Sequence, residues 1–284
     1  MNLSRRDFLF GAAAVASGAV LAGCNTSNNG AYTADNISTG TTSVVNDAVA
    51  GEYNLVEEGK LTVAAELGFA PFEYMDEKTG EPVGFDVDLI KAVASKLGLE
   101  ASYLPNQKFD TLVPLVKQGG KCDVAIAGIT ITDARLEEVD FTSPYLNSNQ
   151  ALVVKKDSGE DEKTLNAAGK KVACQSGTTG DDWIVENLAS AERVPLDDVT
   201  AALTGVSTGL YNAMVIDLPV ASYMLTQSFA DLEVVKEIAT GEQYGIAVSK
   251  KNAALNLAIS AALQEMEDDG TMKELKTKWF GSEI

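Results

Sequence analysis

Short apolar runs alternate along this chain with segments whose apolar residues recur every three or four positions. The first run covers residues 61–65, and Leu89, Ile90 and Val93 follow at helical spacing within 86–97. A short apolar run predicts a buried strand, whereas a period of 3.6 residues predicts an amphipathic helix. Further strands are predicted at 101–104, 123–127, 171–175 and 213–216, and further helices at 110–117, 181–189 and from 219 onward. This alternation predicts an α/β fold with parallel sheets covered on both faces.

Four residues predict where the first two helices begin and end. Asp86 is a favoured N-cap residue, and Gly98 suits the C-terminal stop of the same helix. Asp110 is expected to open the second helix. Pro114 then falls in its first turn, where a missing N–H does little harm.

The residues just after each predicted strand are the candidates for a binding site, because ligands of such sheets bind beyond the carboxyl ends of the strands. These segments are 66–69, 128–135, 176–180 and residue 217. Arg135 can donate two hydrogen bonds to a carboxylate, and the N-terminus of the helix near Thr179 adds backbone donors. Asp217 can accept an ammonium group, and Phe69 can cover an apolar or cationic side chain. The mixture suits a zwitterion.

Each candidate also has an ordinary structural explanation. Asp217 precedes Pro219 and is able to act only as a helix cap. The glycine-rich turn at 177–180 lacks the Gly-Lys-Ser/Thr ending of a phosphate-binding loop. For Arg135 the ordinary explanation is a surface ion pair with Glu138. For Phe69 and Phe109 it is a place in the aromatic core, and for the acid Glu66 it is a position in a solvated loop.

Composition excludes several classes of function. The chain has 284 residues, with 22 Lys and Arg against 41 Asp and Glu, and a formal net charge of -19. Such a surface repels nucleic acid and anionic lipid headgroups, so no nucleic-acid partner is expected. There is no histidine and there are three cysteines, which leaves no zinc cluster and no His-based catalytic triad. No cofactor and no metal are expected.

The N-terminus has the pattern of an export signal. Arg5 and Arg6 precede an uncharged apolar stretch at 8–22, which at 15 residues is shorter than the roughly 20 needed to span a bilayer. The stretch ends in Leu-Ala-Gly-Cys, which resembles a bacterial lipobox with Cys24 as the lipidated residue. The paired arginines resemble a Tat signal, although Phe10 leaves the Sec route open. We expect a signal peptide at 1–23 and a flexible lipid-anchored tether at 24–54, because the tether is polar and has no apolar periodicity.

From residue 61 to 281 the sequence resembles the amino-acid-binding family of ABC transporter solute receptors. The motifs that carry the resemblance are APFEY at 70–74, VGFDVDL at 83–89, AGITITDAR at 127–135, DFTSPY at 140–145, GTTG at 177–180, YGIAV at 244–248 and KWFG at 278–281. The resemblance implies the type II periplasmic binding protein fold, in which two α/β lobes are joined by two crossing strands.

The resemblance also implies how an amino acid would be held by its main chain. Arg135 and backbone donors at Thr130 and Thr179 would bind the α-carboxylate. Asp217, the Gly128 carbonyl and the Thr130 hydroxyl would bind the α-ammonium.

The ligand side chain would lie between Phe69 and Phe109, with Glu66 and Gln175 at its polar end. Glu66 stands where relatives usually have aspartate, so its reach is longer. An acid between aromatic walls favours a basic side chain, with glutamine or histidine next.

The lobe boundaries follow from the same resemblance. The crossing strands are expected at 147–153 and 243–248, with lobe 1 at 55–146 plus 244–284 and lobe 2 at 147–243. Cys122 and Cys174 then fall in different lobes. We expect two small buried thiols there, because a disulfide would resist opening of the lobes.

The expected function is that of an extracytoplasmic monomeric receptor, not an enzyme. It would bind a free L-amino acid and deliver it to an ABC transporter permease, and would touch the membrane only through its lipid anchor. Two different functions stay open beside it. One is an enzyme on the same scaffold, such as a dehydratase or transglycosylase with Glu66 as catalytic acid. The other is a sensory ligand-binding module.

Overall fold

The computed structural model describes residues 53–281. The predicted signal peptide, the Cys24 lipidation site and the predicted tether up to residue 52 lie outside the described residues. Tyr53 packs against the hydrophobic core, and the Asn54 carbonyl accepts a hydrogen bond from Asn252 Nδ2 at 2.8 Å. The last two residues assigned to the tether therefore contact the folded part. No helix of the described segment has the length and apolar character needed to cross a bilayer.

Strands and helices alternate through the described segment. The strands are β1 (Lys60–Ala64), β2 (Gly68–Phe69), β3 (Glu73–Met75), β4 (Pro82–Val83), β5 (Glu100–Tyr103), β6 (Val124–Ala125), β7 (Asp140–Phe141), β8 (Leu146–Lys155), β9 (Lys171–Gln175), β10 (Glu192–Leu196), β11 (Ala213–Asp217), β12 (Leu232–Tyr244) and β13 (Ala247–Val248). The helices are α1 (Phe85–Lys96), α2 (Phe109–Gln118), α3 (Asp133–Glu138), α4 (Glu162–Leu165), α5 (Thr179–Asn187), α6 (Val199–Ser207), α7 (Leu218–Gln227), α8 (Ala253–Asp268) and α9 (Thr271–Phe280).

These strands form two five-stranded sheets and one small sheet. The first sheet has the order β5-β1-β6-β13-β7, the second has the order β10-β9-β11-β8-β12, and the small sheet is β2-β3-β4. Parallel pairing joins β5, β1 and β6 in one large sheet and β10, β9 and β11 in the other, which confirms the predicted parallel strands. The remaining pairs of the large sheets are antiparallel: β8 pairs with β11 and β12, and β13 pairs with β6 and β7.

The chain passes between the two large sheets at both predicted crossings. Strands β8 and β12 pair antiparallel with two register shifts, and the last pairs are Asn147 with Gln243 and Leu146 with Tyr244. After Tyr244 the chain enters the first sheet, where β13 pairs with β6 and β7. The second crossing differs from the predicted strand at 243–248. Strand β12 begins at Leu232 and ends at Tyr244, residues 245–246 lie outside the strands, and β13 follows at Ala247–Val248.

The hydrophobic core follows the predicted periodicity. Leu61 and Val63 of β1 are fully buried, as are Leu89, Ile90 and Val93 of α1, and all five belong to one apolar cluster. Burying a side chain of this kind contributes about 1.5–3 kcal/mol. The apolar positions that predict α1 from the sequence are therefore the positions through which α1 packs on the first sheet.

The predicted start of α1 needs correction. Helix α1 begins at Phe85 with Gly84 as its N-cap, so the prediction that Asp86 caps it is wrong. Gly84 has φ of +136°, and a Cβ there would lie 2.0 Å from the Phe72 carbonyl oxygen, which only glycine avoids. Asp86 is instead fully buried in the first turn.

The predicted start of α2 is also wrong, whereas the predicted end of α1 is confirmed. Helix α2 begins at Phe109 instead of Asp110, so Pro114 lies beyond the first turn and removes one helical hydrogen bond. Gly98 follows the C-cap of α1 with φ of +71°, which makes it the stop residue.

Both predicted thiols are free and buried, as expected. Cys122 precedes β6 of the first sheet, and Cys174 lies on β9 of the second. Burial raises the pKa of the Cys122 thiol to about 12 and raises the pKa of the Cys174 thiol as well. Neither thiol has the depressed pKa that marks a reactive cysteine.

Candidate ligand-binding site

Arg135 connects loops that follow strands of different sheets. It lies in α3, whose N-cap Thr132 accepts a hydrogen bond from the Arg135 N–H at 3.2 Å. Its Nη1 donates to the Thr130 carbonyl at 2.7 Å, and its Nη2 donates to the Gly177 carbonyl at 3.0 Å. Its guanidinium also lies 5.3 Å from the centre of the Phe109 ring. The side chain thus spans the gap that the sequence predicts to be the binding cleft.

A surface ion pair between Arg135 and Glu138 is not formed, because Glu138 pairs with Lys117. Burial lowers the pKa of the Arg135 guanidinium, while the charges of Asp217, Asp182 and Glu242 act in the opposite direction. An arginine remains charged under these conditions. It is therefore a fixed cation in the gap.

Asp217 is the corresponding acid. It ends β11 and occupies the N-cap position of α7, but its side chain makes no capping hydrogen bond. It accepts a hydrogen bond from the Tyr244 hydroxyl instead, so Asp217 is not simply a helix cap. Burial raises the pKa of Asp217 to about 7, and the nearby charge of Glu242 adds to the shift. The carboxylate is short of positive partners and suited to receive an ammonium group.

Thr130 and Thr179 are brought together by a residue that the sequence did not single out. Each threonine hydroxyl donates to Glu242 Oε2 at 3.0 Å. Gln150 Nε2 donates to the same oxygen at 3.1 Å. Its position on a strand, two residues before Tyr244, is the signal that would have identified Glu242, because alternate strand residues share a face.

Glu66 and Gln175 form a second polar group. Both are buried, with 7% and 3% of their surface exposed, so Glu66 is not a solvated loop acid. Burial raises the pKa of Glu66 to about 7, while the Gln175 side chain and the Gly68 N–H act against that shift. Glu66 Oε2 and Gln175 Oε1 have no hydrogen-bond partner. This end of the site therefore offers acceptors that lack donors.

Phe69 and Gly128 link the two polar groups. Gly128 has φ of +53°, and a Cβ there would lie 3.1 Å from the Phe69 ring and 3.5 Å from the Tyr244 ring. The Gly128 N–H donates to Asp86 Oδ2 at 2.9 Å, so the buried Asp86 holds this loop. Phe69 also stacks on Phe72 at 6.1 Å, which makes it part of the aromatic core as well as a wall beside Gly128.

The larger of two cavities is not the one that the predicted ligand residues line. A cavity of about 140 Å³ is lined in part by Arg135, Phe109 and Gly177. A larger one of about 750 Å³ is lined by residues such as Tyr223 and Trp279 and by none of the nine predicted ligand residues. Of the nine predicted ligand residues, Arg135 and Phe109 line the smaller cavity, whereas Asp217 and Glu66 are buried outside its lining.

Two α/β sheet systems connected by two crossing strands, with converging charges from both, define a binding protein with the type II periplasmic fold. Residues 61–282 match the family model of the bacterial extracellular solute-binding proteins, family 3, and the chain belongs to that family. The predicted family and fold class are thereby confirmed.

Named relatives and solved structures agree with this assignment. The L-cystine-binding protein TcyJ of Escherichia coli K12 is 32% identical over 85% of this chain and 91% of its own length. ABC transporter arginine-binding protein 1 of the same organism is 30% identical over 78% and 90%. The structure of an ancestral arginine-binding protein bound to glutamine matches with a TM-score of 0.73 and 40% identity, covering 80% of this chain and all of that one.

The raised acid pKa values predict that the ligand-free protein loses stability as the pH rises from 5 to 8. The folded state binds protons on Asp217 and Glu66 more tightly than the unfolded state does. This stabilisation is therefore complete below the unfolded pKa values near 4 and is lost as the pH rises through about 7. Urea unfolding of refolded, ligand-free protein should show a loss on the order of a few kcal/mol.

The matched variant is Asp217→Asn, which should remove the part of the pH dependence that Asp217 contributes and leave the part from Glu66, whereas Glu233→Gln at an exposed position of β12 should leave the profile unchanged. A stability that rises between pH 5 and 8 would contradict the assignment of these buried acids.

Proposed function

We propose that this chain is an extracytoplasmic receptor that binds a free L-amino acid with a cationic side chain and delivers it to an ABC importer. The observation that carries the proposal is one chain of contacts between a fixed cation and a buried carboxylate that stand 82 positions apart in the sequence. Arg135 donates to the Thr130 carbonyl, Thr130 pairs with Tyr244, and the Tyr244 hydroxyl donates to Asp217. These are the two charges that a zwitterion requires.

The ligand main chain is held at both ends in this proposal. Arg135 and the backbone N–H groups of Thr130 and Thr179 bind the α-carboxylate, since arginine has donors beyond those used by the two carbonyls. Asp217, the Gly128 carbonyl and the Thr130 hydroxyl bind the α-ammonium. The ammonium replaces the proton that the raised pKa of Asp217 retains in the ligand-free protein.

The acceptors at the other end of the site support a basic side chain. Glu66 Oε2 and Gln175 Oε1 are buried and without partners, and a guanidinium or ammonium group supplies donors only. Phe69 and Phe109 flank the aliphatic part of the ligand. The names of the relatives include both arginine and cystine, and one solved neighbour holds glutamine, so Glu66 is the residue on which the choice depends.

We propose that the two lobes close over the ligand, with lobe 1 at 55–146 plus 244–284 and lobe 2 at 147–243. Lys108 and Asp197, on opposite sides of the gap under these boundaries, form an ion pair at 2.5 Å, and Arg135 donates to Gly177 across it. The ligand favours the closed form because only there are both of its charges satisfied.

The receptor acts as a monomer, held to the membrane by a lipid on Cys24 and otherwise free to meet the permease. Binding without chemistry is favoured over an enzyme, because the curated relatives are named as binding proteins. An enzyme would need Glu66 as catalytic acid. L-Arginine recovered unchanged after long incubation with the protein supports the receptor, and a new product supports the enzyme.

Arg135→Ala is expected to weaken L-arginine binding by about 100-fold or more, because the ligand carboxylate would lose a charged, two-pronged donor. Titration calorimetry measures the effect, with circular dichroism to show that the variant is folded. Arg135→Lys should recover only part of the affinity, since lysine keeps the charge but not the fork. Lys251→Ala, at an exposed position, is the control. Parent-like affinity in Arg135→Ala would remove Arg135 from the site.

Glu66→Gln is expected to reduce the preference for L-arginine over the isosteric neutral L-citrulline by about tenfold or more, because a buried carboxylate selects for charge. Calorimetry with L-arginine, L-lysine, L-ornithine, L-glutamine, L-histidine and L-leucine gives the wider ranking. Glu58→Gln, an exposed acid, should change none of these ratios. A parent protein that prefers leucine would contradict the role of Glu66.

Cys24→Ser is expected to abolish incorporation of labelled palmitate and to release the protein from the membrane fraction, because the thiol carries the acyl chains. Cys122→Ser should remain labelled. Continued labelling of the Cys24 variant would contradict the lipid anchor.

A further inference from the structure

One carboxylate oxygen collects three hydrogen bonds in the binding cleft. Glu242 Oε2 accepts from the hydroxyls of Thr130 and Thr179, both at 3.0 Å, and from Gln150 Nε2 at 3.1 Å. Gln150 Nε2 also donates to the Thr179 hydroxyl at 3.3 Å. Hydrogen bonds to a charged acceptor are about twice as strong as neutral ones. Glu242 is therefore held firmly, although the proposed contacts to the amino-acid ligand give it no role.

The donors to Glu242 come from both sides of the cleft. Thr130 lies in the connection that follows β6 of the first sheet, whereas Thr179 begins α5 and Gln150 lies on β8 of the second sheet system. Glu242 itself lies near the end of β12, where its backbone pairs with Ser148 in the crossing segment. The carboxylate thus joins groups that hinge opening would separate.

The contact with Thr130 also fixes the direction of a hydroxyl group. A threonine hydroxyl has one proton to donate and lone pairs to accept. Because the Thr130 proton is directed to Glu242, the lone pairs remain for another donor, and this hydroxyl is the one proposed to bind the α-ammonium. The charge of Glu242 acts on Asp217 and Arg135 as well, so it belongs to the same electrostatic site.

We propose that Glu242 is a positioning residue that ties the two lobes together in the closed form and presents the Thr130 hydroxyl as an acceptor for the ligand ammonium. The second role rests on the proposed amino-acid receptor function, whereas the first can be measured without any ligand. If the bridge favours closure, its loss lowers the closed population, and ligand affinity falls by the factor by which the closed fraction falls. If Glu242 instead competed with the ligand carboxylate for the cleft, replacing Glu242 would raise the affinity for the ligand.

The first experiment measures lobe opening in the ligand-free, full-length chain. Nitroxide labels on Glu77→Cys and Glu186→Cys, two exposed positions on opposite sides of the cleft, report the distance between the lobes by pulsed electron paramagnetic resonance. Glu242→Ala should shift the distribution to longer distances, and Glu233→Gln, on the same strand, should not. A distribution for Glu242→Ala that matches the parent overturns the inference, whether or not L-arginine proves to be a ligand.

The second experiment measures the ammonium contact by calorimetry. Glu242→Gln should bind L-arginine at least tenfold more weakly, yet bind 5-guanidinopentanoate, which lacks the α-ammonium, with a smaller loss. Equal losses for the two compounds would overturn the role at Thr130, and tighter L-arginine binding would overturn the whole inference. A parent protein that binds neither compound refutes the proposed ligand class, and the distance measurement then decides the role of Glu242 in closure.

Discussion

The excess of buried acids over cations around Asp217 and Glu66 is the constraint on which this structure depends. Asp217, Glu66 and Glu242 approach the cleft from different elements, while Arg135 is the fixed cation among the residues described there. Burying a carboxylate without a partner is costly, and the protein meets that cost by raising the pKa of Asp217 and Glu66 to about 7. A ligand that brings its own positive charges removes the imbalance without protons.

The two sheets matter because each supplies only part of the cleft. Thr130 and Arg135 follow the first sheet, and Thr179 and Asp217 belong to the second. Strands β8 and β12 are the covalent connection between them, so a rotation about Asn147 and Gln243 would change every distance across the cleft at once. In the proposed closure this geometry gives selectivity, since only a ligand that satisfies both halves stabilises the closed form.

Local patterns in the sequence were sufficient for the order of the elements and for several site residues. The burial of Leu61, Leu89 and Val93 was predicted from the sequence, because strand and helix periods are encoded within a few residues. The rule that ligands bind at strand ends singled out Arg135 and Asp217, and the structure shows Arg135 joining the loops after β6 and β9 and Asp217 buried at the end of β11. Helix starts were less well predicted, because Asp86 has the chemistry of a cap but is drawn into the core by Gly128 and Tyr145.

The sequence by itself determined that this is an α/β solute-binding protein with acids and an arginine at the carboxyl ends of its strands. Tertiary structure alone decided which acids lose their water, that Glu66 Oε2 and Gln175 Oε1 lack partners, and that Glu242 joins Thr130 to Thr179. The reason is physical. The contacts of Glu242 with Thr179 and Thr130 link residues that stand 63 and 112 positions apart. The desolvation of an acid depends on all the atoms packed around it, and no local sequence pattern contains that information.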